Sequence, residues 1–119
     1  MLRYCWVLAS MKPIFANPEP IDYSYDSGGD VIYLAFADQK AARTVELVSG
    51  WPILLVDVND ADQIVGIECV GIKEFGVDTF VRLLQERVKR VLGMEMSENE
   101  AESFVHFMRT PQAELALSN

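Results

Sequence analysis

The chain has 119 residues, half of them apolar and a tenth aromatic, and a net charge of −8. That length suits one domain able to bury a core without metal or disulfide staples. The acidity argues against non-specific binding to nucleic acid or an anionic membrane surface, since both need clustered Lys and Arg.

Residues 1–10 are mildly apolar but interrupted, and they run into Met11-Lys12-Pro13. This pattern does not read as a secretory signal, and Met11 offers an alternative start. No stretch approaches the roughly 18 apolar residues of a membrane span. Pro13, Pro18 and Pro20 fix the backbone and remove donors, so residues 1–20 read as an extended lead-in. The ordered domain is expected from residue 21 to residue 110.

Strand and turn signals then alternate. Ile21–Asp26 alternates apolar and polar residues, and Ser27-Gly28-Gly29-Asp30 is turn chemistry. Val31–Phe36 is an apolar run of strand length, Asp38–Ala42 a polar connection, and Arg43–Val48 alternates again. Ser49-Gly50 is a tight turn. Trp51–Val58 reads as a strand interrupted near its start by Pro52, Asn59–Asp62 as a turn, and Gln63–Val70 as the last strand. Five short strands on short loops predict an antiparallel β-meander. Two of them, around Val31–Phe36 and Ile53–Val56, are apolar on both faces, which implies cover on both sides of the sheet.

Two amphipathic helices are predicted next. From residue 75 to 93, Val77, Phe80, Val81, Leu84, Val88, Val91 and Leu92 recur at helical steps. Asp78 and the Arg87–Arg90 cluster complement the dipole, Glu86 and Arg90 form an i,i+4 pair, and Gly93 ends the helix. From 97 to 109, Ser97 and Glu100 make a capping box, and Ala101, Phe104, Val105 and Met108 form the stripe. Residues 111–119 read as a tail. The class is α+β.

Several blocks fall in a recognisable order: Tyr25-Asp26, then Asp30-Val31-Ile32-Tyr33-Leu34, then Arg43-Thr44-Val45-Glu46-Leu47, then Val56-Asp57-Val58-Asn59 and Ile64-Val65-Gly66-Ile67-Glu68. Over residues 22–70 the chain resembles a family of small bacterial domains catalogued as domain of unknown function 2283. The resemblance implies a β-meander with a packed helix and brings no activity with it. The family usually has glycine after the acidic residues of the last turn, where this chain has Ala61-Asp62-Gln63.

No catalytic constellation emerges. Asp57, Asn59 and Glu68 sit at positions 1, 3 and 12 of a calcium loop, but Ala61 and Asp62 occupy positions 5 and 6, where an oxygen ligand and glycine are needed. The stretch therefore reads as a hairpin turn. Asp26 is expected to bond turn amides. His106 lies off the stripe of the last helix, with no nucleophile motif to serve. Neither a Cys/His metal cluster nor a cofactor loop is present, so no cofactor and no metal is expected. Cys5 and Cys69 read as reduced thiols of a cytoplasmic protein. Arg43 shares a strand face with Val45 and wants a carboxylate partner, expected at Asp30 or Glu68. If there is a binding site, Arg43, Asp30, Glu46 and Glu68 are its candidates. The favoured reading is a non-catalytic module that forms a homodimer or binds another protein. The alternative is a small-molecule binder or enzyme around Arg43.

Overall fold

The computed structural model describes residues 12–109. Five antiparallel strands form one sheet: β1 (Asp22–Asp26), β2 (Val31–Ala35), β3 (Arg43–Val48), β4 (Ile53–Val58) and β5 (Ile64–Val70). Each predicted strand is present, with ends within two residues of those expected. β4 starts at Ile53 rather than Trp51, because Pro52 has no amide to offer the ladder. Three helices follow: α1 (Ile72–Phe75), α2 (Val77–Leu92) and α3 (Glu98–Met108). The α+β class and the two amphipathic helices are as expected; α1 is an addition.

The strand order is β1-β2-β5-β4-β3, not the sequential order of a simple meander. Strands β3, β4 and β5 do meander. The last of them then docks on β2, so the β2–β3 connection crosses to the far edge and β5 becomes the centre of the sheet. Composition supports that exchange. β5 is the only strand with four consecutive buried residues, Ile64 to Ile67, whereas Arg43, Thr44 and Glu46 of β3 are exposed as befits an edge.

Register assigns each side chain to a face, because directly paired residues point the same way. Tyr25–Ile32–Cys69–Leu54 and Tyr23–Leu34–Ile67–Val56–Val45 are two cross-strand rows on one face. Onto it pack Phe80, Val81, Leu84 and Val88 of α2 and Ala101, Phe104 and Met108 of α3. This is the core, and burying each large side chain in it contributes about 1.5–3 kcal/mol. Only Val91 of the predicted α2 stripe emerges into solvent, in the last turn of the helix.

The caps are those the sequence advertises. Gly93 ends α2 in a left-handed conformation (φ 67), and Arg90 bonds Glu86 at 3.0 Å. The Ser97–Glu100 capping box opens α3. The second oxygen of Glu100 accepts the Ile14 amide at 2.8 Å. That bond belongs to a larger anchor. Phe15 forms a parallel bridge with Ile64 and stacks on Phe36 at 4.4 Å, and the Asn17 amide donates to the Phe36 carbonyl. Ile14 and Phe15 are buried. The ordered domain thus reaches back past Ile21 into the proline-rich lead-in: prolines there set the chain's path but do not keep two apolar residues from the core. The predicted starts at Met1 or Met11, Cys5 and the tail from residue 111 lie outside the described residues.

Candidate functional site: the open face of the sheet

The opposite face of the sheet carries the other rows: Asp26–Val31–Val70–Ile53, then Ser24–Tyr33–Glu68–Leu55–Glu46, then Asp22–Ala35–Gly66–Asp57–Thr44. Val31, Ile53, Leu55 and Val70 are all partly exposed, and none joins the core packed by the helices. The double-sided apolar pattern of β2 and β4 is therefore real. The described helices answer it on one side only.

At the centre of this face, Tyr33 leans diagonally across β5. Its hydroxyl donates to Asp57 Oδ2 at 2.7 Å, and the Thr44 hydroxyl donates to Asp57 Oδ1 at 2.6 Å. Gly66 makes the crossing possible: a Cβ there would stand 2.0 Å from the Tyr33 oxygen. Partial burial, the bond to Asp57 and the nearby charges of Asp57 and Glu68 push Tyr33 up to about 12. A tyrosine so held stays protonated, and both oxygens of Asp57 are engaged, so the trio is a lock rather than an acid–base pair. A glycine inside a strand is the one sequence signal of this close approach.

Glu68 and Glu46 flank Leu55 in the middle row, and neither makes an ion pair or hydrogen bond among the described residues. Near the Ile53 end of the face, Trp51 is 54% exposed, packs edge-on against Phe75 at 5.9 Å and donates its indole N–H to Glu74 at 3.1 Å. All eight described Lys and Arg residues of the loops and helices, and Arg43 as well, lie outside these rows: no Lys, Arg or His occupies any of their positions.

The four site residues proposed from the sequence do not converge. Glu46 and Glu68 share the open face, one strand apart. Arg43 pairs in register with Val58, on the helix side, and bonds Asp62 at 3.4 Å rather than Asp30 or Glu68. It lines a groove of about 600 Å³ with Lys12, Gln63 and Glu95 that contains none of the other three. Asp30 sits at φ 53 and accepts the Lys73 and Glu74 amides at 3.0–3.2 Å and the Tyr25 hydroxyl at 3.1 Å. It caps α1 from 43 residues away, and with Asp26 its charge, behind burial and the hydroxyl bond, raises the Tyr25 pKa.

The remaining candidates also have structural work. Asn59 Oδ1 accepts the Ala61 and Gln63 amides, which makes the Asp57–Asp62 stretch the hairpin turn expected of it. Asp62 adopts φ 60, the left-handed residue that closes this turn. Asp26 accepts the Gly28 amide, and His106 is exposed on α3. Cys69 is a free, fully buried thiol whose pKa burial drives upward. Among the described residues no helix is long and apolar enough to cross a membrane.

The family described as "Protein of unknown function (DUF2283)" matches residues 22–73. Its match spans all five strands and the first residues of α1, so what this chain shares with the family is the sheet, and α2 and α3 lie beyond it. No curated protein and no solved structure matches the chain.

Proposed function

We propose that the protein is a non-catalytic protein-interaction module whose docking surface is the open face of the sheet. The observation that carries this reading is the partly exposed apolar group Val31, Ile53, Leu55 and Val70 at the middle of that face, outside the core. A sheet face of this composition is ordinarily closed by another layer. Trp51 adds a large exposed anchor of the type enriched at interface centres. The locked Tyr33–Asp57–Thr44 trio keeps the surface in one shape, which limits the ordering cost of association. A reducing, cytoplasmic setting fits the free Cys69.

The same face serves either a second copy or a different protein. Tagged full-length chain, wild type and Leu55→Lys/Val70→Lys, should be compared as bait in lysate of the native host, with circular dichroism confirming that both are folded. A protein held in stoichiometric amount by the wild type, a second copy included, and lost from the variant is the expected result. Equal retention by both baits would remove the sheet face from consideration.

A further inference from the structure

We infer that the occupant of the open face is an amphipathic helix of another protein, apolar along one ridge and carrying Lys or Arg on both flanks. This inference rests on the interaction reading above and names the partner's chemistry. Among the described residues the rows of the open face hold five carboxylates, Asp22, Asp26, Glu46, Asp57 and Glu68, and no cation. Both oxygens of Asp57 accept hydroxyl bonds, whereas Glu46 and Glu68 have no partner among the described residues. A second copy docked face to face would set these carboxylates against their own kind around a desolvated apolar centre, where like charges repel most strongly. The chain keeps its own cations elsewhere: Arg43, the one basic residue within the strands, is turned to the other face and tied to Asp62.

The spacing fits a helix. Glu46 and Glu68 lie on strands either side of β4, so about 10 Å separates them, two strand spacings, with Leu55 between. A helix is about 10–12 Å across with its side chains. One running along β4 on Leu55 and Ile53, with Val70 beside it, would bring basic residues on its two flanks to Glu46 and Glu68. It would also complete a helix–sheet–helix sandwich, the layering that covers a sheet on both sides.

The probe is a synthetic peptide of about 18 residues, leucine on one helical face and lysine on the other, against an analogue with glutamate in place of lysine. Each is titrated calorimetrically into the full-length chain. The lysine peptide should bind and the glutamate analogue should not, and the affinity should fall as salt is raised. Glu46→Gln/Glu68→Gln should weaken binding roughly three- to tenfold, the range of two partly exposed ion pairs. Glu86→Gln/Glu98→Gln, which removes the same charge from the helix layer, should leave it unchanged. Equal loss in both double variants would reveal non-specific attraction and overturn the inference. Binding of both peptides, weakened alike by Leu55→Lys, would overturn the basic partner while keeping the docking face. So would a dimer in sedimentation equilibrium that Leu55→Lys dissociates. A monomer that binds neither peptide would overturn the inference and leave the docking face to the lysate comparison.

Discussion

A methyl group on Gly66 would sit 2.0 Å from the Tyr33 hydroxyl and 2.7 Å from its Cζ. Gly66→Ala must therefore push the ring off β5 and break its bond to Asp57. The cost should be about 1–3 kcal/mol, read as a lower urea midpoint. In the Tyr33→Ala background the same substitution should cost far less, because only Asp57 Oδ2, at 3.0 Å, still stands near the methyl; additive effects would show that the ring is not what excludes the side chain. Tyr33 also makes stability depend on pH. Its folded pKa is pushed up to about 12, above the ordinary tyrosine value of about 10. Below pH 10 its contribution is whole. Between 10 and about 12 the unfolded chain surrenders the proton and the folded chain keeps it, so stability declines through that window. Urea midpoints should fall there more steeply in the wild type than in Tyr33→Phe. Identical slopes would mean that the phenol is not held by Asp57.

At the scale of elements, local chemistry was readable and long-range chemistry was not. Alternation, glycine turns and the Ser97–Glu100 box are encoded within a few residues, and each produced the element it announced. Helix α1 escaped because four residues have no periodicity, and its cap, Asp30, comes from the first hairpin. Phe15 escaped because three nearby prolines look like a linker. Its place is set by Phe36 and Ile64, which sequence spacing does not bring near it. The site shows the same division. The double-sided apolar strands pointed to a face in need of cover. Arg43, whose partner depends on a left-handed Asp62, did not reveal its role.

Strand order belongs to the whole molecule, and hydrophobic pattern alone leaves it open. Any of the apolar strands could flank β2. The one that does, β5, follows β3 and β4 in the sequence and pairs with β2 from Val31–Val70 to Ala35–Gly66. The edges left by this arrangement are guarded. β1 exposes Asp22 and Asp26, and β3 carries Arg43, Glu46 and a bulge between Glu46 and Val48. Those devices discourage edge-to-edge pairing.

The crossing between β2 and β3 makes the protein divisible. Lys40 lies exposed in that connection. The described residues before it grip the rest through β2 along β5, through Ile14–Ala16 against Ile64 and Glu100, and through the bonds of Asp30 to α1 and of Tyr33 to Asp57. Trypsin acting briefly on the folded chain should cut after Lys40 and yield two pieces that still migrate as one in gel filtration. They should part only when urea is added; separation in native buffer would show the seam too weak to hold. A chain built this way is two complementary fragments joined by a tether, and a reporter split at residue 40 would read their reunion.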